Sequence, residues 1–220
     1  MKFDLHIHST FSRDASASPR QIVEHCRRIG LDGLAITDHN SIAGSIEART
    51  FGKELGIMVL SGTEVSAEEG HVLAYGVSEP IPRGRPMADT VELIHASGGI
   101  AVAAHPKRFP SGMGLELARA GKFDAIEVLN GGSSRRSNAL ARALADDRRS
   151  SVTAGSDAHE LAQIGKAYTV AEGVSSEAEL IESILKARTS VGGRSRTMLE
   201  GVVYSIETLT EWLRGDFERL

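Results

Sequence analysis

Short apolar runs, several closed by a histidine or an acid, alternate with helical stretches along this chain, and that order most constrains its fold. Residues 2–7 (KFDLHI) form the first run. Residues 19–29 then place Ile22, Val23, Cys26 and Ile29 on one face at helical spacing. Pro19 stands at the first helical position, where its missing N–H costs nothing, and Gly30 closes the turn. The pattern continues with a strand at 31–37, a helix at 41–56, a strand at 57–65 and a hairpin partner or continuation at 71–77. The proline-rich stretch 78–86 reads as a loop and candidate lid. Helices are expected at 87–99, 114–122, 133–149, 177–188 and 205–220, and strands at 100–106, 123–130, 150–159 (strand plus loop) and 167–173.

Repeated β-then-α order predicts a parallel sheet with helices outside it. About seven such units favour closure into an α/β barrel over an open doubly wound sheet, and 220 residues suit one domain, 1–220. No GxGxxG follows the first strand, so a dinucleotide fold has no support.

The expected strand ends carry the chemistry. They present His6 and His8, Asp38 and His39, Glu64, His71, His105, and Asp157 with His159. Six of the eight histidines fall there, leaving only His25 and His95 in expected helices. Residues two apart in a strand point to one side, so His6 with His8, and Asp157 with His159, can converge on one point. Nitrogen and oxygen donors without cysteine suit catalytic zinc, manganese or iron rather than a structural thiolate site. The donors are too many for one ion, so two or three divalent ions are expected, with a carboxylate such as Glu64 bridging.

The motifs DLHIHS, ITDHN, GTE, AHP and GSDAH, in that order from residue 4 to 159, resemble those of the PHP (polymerase and histidinol phosphatase) superfamily. That resemblance implies a distorted seven-stranded β/α barrel, the (β/α)7 TIM-like PHP fold, and a trinuclear centre. It assigns His6, His8, Glu64 and Asp157 to one ion, Glu64, His71 and His105 to a second, and Asp14, His39 and His159 to a third. Many relatives carry Asp-Gly directly after the serine of the first motif, whereas here Ser12 is followed by Arg13 and then Asp14.

The activity expected is hydrolysis of a small phosphomonoester or nucleotide-type phosphoester by a metal-bridged hydroxide. Arg108 would grip the phosphate, Lys107 and Arg13 are further cationic candidates, and Asp38 or His159 would protonate the leaving oxygen. Alternatives are a C–N amidohydrolase, a 5'-3' exonuclease on short oligonucleotides, or a non-catalytic module. A net charge of −4 and 5% aromatics argue against a strong nucleic-acid surface. No apolar run approaches the roughly 20 residues that span a bilayer. The N-terminus has no signal-peptide pattern and Cys26 is the single cysteine, so a cytoplasmic protein without membrane contact is expected.

Overall fold

The computed structural model describes residues 1–201. In chain order the elements are β1 (Lys2–Ile7), α1 (Pro19–Arg28), β2 (Gly33–Ile36), α2 (Ala43–Leu55), β3 (Met58–Leu60), β4 (Gly62–Ala67), β5 (Gly70–Tyr75), α3 (Met87–Ala96) and β6 (Ile100–Ala103). There follow α4 (Leu115–Ala120), β7 (Ala125–Asn130), α5 (Arg135–Arg148), β8 (Ser151–Gly155), a 3-10 turn at Leu161–Gln163, β9 (Ala167–Ala171), α6 (Glu177–Leu185) and β10 (Thr189–Gly193). The helix expected at 205–220 lies outside the described residues.

Local chemistry explains the helix starts. Ser18 and Gln21 form a reciprocal capping box around α1, and Ser134 and Ser176 cap α5 and α6 through their hydroxyls. The apolar stripe of α1 (Ile22, Val23, Cys26) is buried against β1 and β2 residues such as Ile7, Leu34 and Ile36.

The strands form two five-stranded sheets, β10-β9-β1-β2-β3 and β4-β5-β6-β7-β8. The fold is therefore mixed α/β, and the all-parallel sheet expected from the β-then-α order is not found. β4 and β5 are an antiparallel hairpin, and β5 pairs antiparallel with β6. The stretch 57–65 is two strands rather than one. It breaks at Ser61, so that β3 pairs with β2 while β4 pairs with β5. At the break, Gly62 N–H donates to Ser45 Oγ, and a Cβ on Gly62 would crowd the Ala74 carbonyl and the Tyr75 ring, both 3.1 Å away. Strand β10 has no sequence counterpart: its TSVGG run is half exposed and lies at a sheet edge.

The two sheets share one apolar core in which Phe3, Leu5, Leu60, Leu73, Tyr75, Val102 and Leu180 are buried together. The Tyr75 hydroxyl donates to the Leu5 carbonyl at 2.8 Å and ties the sheets across that core. At one end they meet along two seams: Ile7 bridges to Ala158, and His39 bridges to Glu64. Both seams join segments that carry the sequence-predicted site residues.

The seam beside β8 needs a glycine. A Cβ on Gly155 would press on His6 and lie 2.5 Å from its backbone nitrogen, which cannot swing away. Gly155→Ala is expected to destabilise the fold by about 1–3 kcal/mol, the range for overpacking. Urea unfolding measures this, and an unchanged midpoint would contradict the close approach.

The loop at 78–86 is strapped to the tip of the β4–β5 hairpin: Glu68 N–H donates to the Arg85 carbonyl and Gly84 N–H to the Ser66 carbonyl. Ile81 is buried beneath it.

Candidate metal centre

The seams and the β4–β5 hairpin bring His6, His8, Asp14, His39, Glu64, His71, His105, Asp157 and His159 into one cup. His71 opens strand β5 rather than ending a strand, because β5 runs antiparallel and its N-terminal end lies beside the C-terminal ends of its neighbours. Register shifts occur in β1 between Asp4 and Ile7 and in β7 between Glu127 and Leu129, irregularities of the kind that re-aim side chains at sites. His105 and Asp157 take positive φ (25° and 54°), strained for non-glycine residues, as functional positions often are.

Glu64 sits at the centre. Its oxygens lie 3.5 Å from His6 Nε2, 3.4 Å from His8 Nε2, 3.1 Å from His39 Nδ1, 3.1 Å from His71 Nδ1 and 2.9 Å from His105 Nε2. Asp157 divides its work. Oδ1 faces His6 Nε2 at 3.6 Å and His8 Nε2 at 3.4 Å, while Oδ2 accepts from Asn130 at 3.1 Å and from the Arg108 guanidinium. On the more exposed lip, Asp14 lies 3.0 Å from His159 Nε2 and 3.5 Å from His39 Nε2.

The donor atoms fall into four overlapping sets, each within 4.8 Å: His8, Asp14, His39 and His159; His6, Glu64 and His105; His6, His8 and Asp157; His39, Glu64 and His71. The sets differ from the three groups implied by the resemblance, in which Glu64 was the one shared residue, since His8 also joins the Asp14 group and His39 also joins Glu64 and His71. Two buried nitrogens, His6 Nε2 and His8 Nε2, have no hydrogen-bond partner. They stop 3.4–3.6 Å short of carboxylate oxygens. Two donors bound to one ion at about 2.0–2.2 Å stand roughly 3.0–3.6 Å apart. These residues therefore fit divalent cations.

Support beneath the cup fixes the imidazoles. Ser12 Oγ donates to Asp38 and accepts from His8 Nδ1 at 3.2 Å and from the His39 backbone at 3.0 Å. His159 Nδ1 donates to the Asp157 carbonyl. The contacts at His8 Nδ1 and His159 Nδ1 leave the Nε2 of each ring facing the cup. Asp38, expected as a possible proton donor, is wholly buried and accepts from Ser9 N, Ser9 Oγ and Ser12 Oγ at 2.6–3.1 Å. A Cβ on Gly44 would collide with it. No leaving group reaches that carboxyl, and its place suits orientation of Ser12 and His8. Arg13 and Lys107 lie exposed on the loops that carry Asp14 and His105. His25 and His95 are helix-borne and lie away from the cup; His95 pairs with Asp124 at 2.8 Å.

Glu127 and Asn130 were not anticipated from the sequence. Glu127, buried in mid-strand β7, accepts from His6 Nδ1 at 3.0 Å, and Asn130 binds both Glu127 and Asp157. The signal was present as an acid inside the apolar run FDAIEVLN, where an unpaired charge would be costly.

Electrostatics prepare the site for cations. Burial works against charge on Glu64, yet His71, His6 and His39 hold its pKa well below the usual range. Burial pushes His105 down to about 4, so it is neutral at pH 7 and able to ligate. At His6 burial also opposes charge, but Glu127 and then Glu64 raise the pKa to about 10. Metal-free His6 thus holds a proton at pH 7 that an ion at Nε2 must displace. Metal affinity should rise with pH through neutrality, by about tenfold per unit for one displaced proton. Titration calorimetry in buffers of different ionisation heat counts that proton, and a pH-independent affinity would contradict the assignment.

The cup is a cluster of histidine and carboxylate donors of the kind that could hold divalent metal. The PHP domain family matches residues 4–97 and the PHP-associated family matches residues 135–189. The chain belongs to the PHP family. It is 37% identical over 116 residues to an uncharacterized protein of Methanocaldococcus jannaschii, covering 48% of this chain and 68% of that one. It is 41% identical over 101 residues to phosphoribosyl 1,2-cyclic phosphate 1,2-diphosphodiesterase of Eggerthella lenta, covering 43% of this chain and 38% of that enzyme. With a 5'-3' exoribonuclease of Haemophilus influenzae it shares 30% identity over 169 residues, 75% of this chain and 52% of that enzyme. The fold superposes with a TM-score of 0.75 on a two-domain protein of Bacteroides vulgatus containing a predicted PHP-like metal-dependent phosphoesterase, at 22% identity, covering 88% of this chain and 65% of that one. Among the described residues, no helix is long and apolar enough to cross a membrane.

Proposed function

We propose that this chain is a metal-dependent phosphoesterase acting on a small phosphoester or nucleotide-type phosphoester, with residues 1–220 as one domain. The two seams between the sheets support a reading of the fold as a distorted (β/α)7 barrel with the cup at its mouth. The observation that carries the proposal is the overlap of four nitrogen–oxygen donor sets in one cup, two of which share the carboxylate of Glu64. Two or three zinc, manganese or iron ions would be held by His6, His8, Glu64, His105 and Asp157, with His39 and His71, and with Asp14 and His159 on the lip. Bound divalent ions supply positive charge opposite the phosphoryl oxygens and acidify water at neutral pH.

This chain's own residues supply the rest. Arg108 stands beside the cup on the oxygen of Asp157 that faces away from His6 and His8, so it can meet a phosphate without vacating the ligand side of that carboxylate. Arg13 and Lys107 add positive charge at the rim. His159, on the lip, is the imidazole we assign to give a proton to the leaving oxygen in a two-ion centre. In a three-ion centre it would be a ligand, and the metal count decides.

The nuclease reading draws on the exoribonuclease likeness, which spans 75% of this chain. The C–N hydrolase reading is weakened because the bridging position is Glu64 and Lys107 points to the exposed rim. A panel of nucleoside monophosphates, cyclic phosphodiesters, sugar phosphates, short 5'-phosphorylated RNA and simple amides, assayed with manganese- or zinc-loaded protein, separates these readings. Turnover of the small phosphoesters supports the proposal, and cleavage of amides alone would contradict it. Arg108→Ala is expected to raise KM by roughly ten- to a hundredfold, since a hydrogen bond to a charged group is worth about 1.5–3 kcal/mol. Its metal content should be unchanged.

A further inference from the structure

Glu127 lies below the cup, in contact with its floor. Both its oxygens are committed. Oε1 accepts from His6 Nδ1 at 3.0 Å, and Oε2 accepts from the His105 backbone at 2.8 Å and from Asn130 Nδ2 at 3.0 Å. Asn130 Nδ2 also reaches Asp157 Oδ2 at 3.1 Å. One fully buried carboxylate therefore touches His6 and His105 directly and Asp157 through one amide.

Its position in the strand is otherwise unfavourable. The neighbours Ile126 and Val128 are core residues, and an apolar side chain in mid-strand β7 would avoid the cost of burying a charge. The hydrogen bond to His6 moreover leaves the ring's other nitrogen, Nε2, buried and without a partner. A structural ion pair would not require that idle atom. A carboxylate that holds the Nδ1–H tautomer and leaves the Nε2 lone pair for a cation would.

We infer that Glu127 is a positioning residue of the metal centre, which fixes the tautomer and aim of His6 and, through the His105 backbone and Asn130, the placement of two further ligands. The inference rests on the metal-centre reading above. Glu127 does not touch the reacting atoms.

E127Q tests it, because an amide has only one accepting oxygen. With that oxygen retained by His105 N–H and Asn130, the amide N–H faces His6 Nδ1 and makes it an acceptor. The His6 proton then moves to Nε2, and the metal-facing lone pair is lost. Zinc titration calorimetry on the full chain should show affinity weakened by roughly ten- to a hundredfold, or one ion fewer bound. Nitrogen-15 spectra of the zinc-loaded proteins should show His6 protonated at Nδ1 in the wild type and at Nε2 in E127Q. E127D, which keeps the charge, should bind zinc more tightly than E127Q at equal folded fraction, and its His6 should stay protonated at Nδ1, a readout that does not depend on E127Q folding. Wild-type zinc affinity in E127Q with Nδ1–H retained would overturn the inference, as would equal weakening in both variants. A wild-type chain that binds no zinc would overturn the metal reading itself, and this inference with it.

Discussion

Glu64→Gln is expected to lose metal and to lower turnover by about 10³-fold or more, at the upper end of what removing one electrostatic contributor costs. Five imidazoles lie within 3.5 Å of that carboxylate, and its two oxygens face different groups of them. Glutamine keeps the shape but has one accepting oxygen and no charge, so it cannot bridge. The same substitution has a signature in the metal-free protein. The folded pKa of Glu64 lies below its usual 4.5, so its charge stabilises the fold at neutral pH and that contribution fades as pH falls through and below 4.5. Metal-free Glu64→Gln should therefore melt lower than the wild type at pH 7, with the gap closing toward acid. Elemental analysis and melting curves measure both effects. Unchanged metal content with full turnover would remove Glu64 from the centre.

The second large effect is metal removal. Dialysis against a strong chelator should abolish phosphoester hydrolysis, and adding manganese or zinc should restore it. The fold should also lose thermal stability. An ion present at a thousand times its dissociation constant contributes about 4 kcal/mol. At roughly 2–4 °C per kcal/mol for a chain of this size, the melting temperature should fall by about 10 °C. Differential scanning calorimetry with and without chelator is the check, and an unmoved transition would mean that the cup does not bind ions tightly.

Much of the candidate site was legible because the residues that meet in the cup are polar ones placed where apolar ones would normally end a strand. His6, His8, His39, Glu64, His105, Asp157 and His159 stand out by that contrast alone, and Asp14 entered through the motif resemblance and lies on the lip. What could not be read were the features set by tertiary pairing. The break at Ser61 sends one apolar run into two sheets, and the antiparallel hairpin brings His71 in from the opposite direction. Period-2 patterning does not distinguish parallel from antiparallel neighbours, so the all-parallel expectation had no internal check. Glu127 was hidden for a related reason: its meaning depends on His6, 121 residues away, and only the fold supplies that partner. Asp38 shows the converse. Its motif neighbours suggested chemistry, but Gly44 packs against it from below and the three donors of Ser9 and Ser12 occupy it from above.

By the function proposed above, the cup is a polynuclear centre that hydrolyses phosphoesters. Turnover of a small phosphodiester, followed while metal-free protein is titrated with manganese or zinc, tests it most directly. Activity should be absent at zero metal, rise with added ion and level off at two or three equivalents per chain. Hydrolysis that is independent of metal, or saturation of binding with no hydrolysis of any phosphoester in the panel, would contradict it.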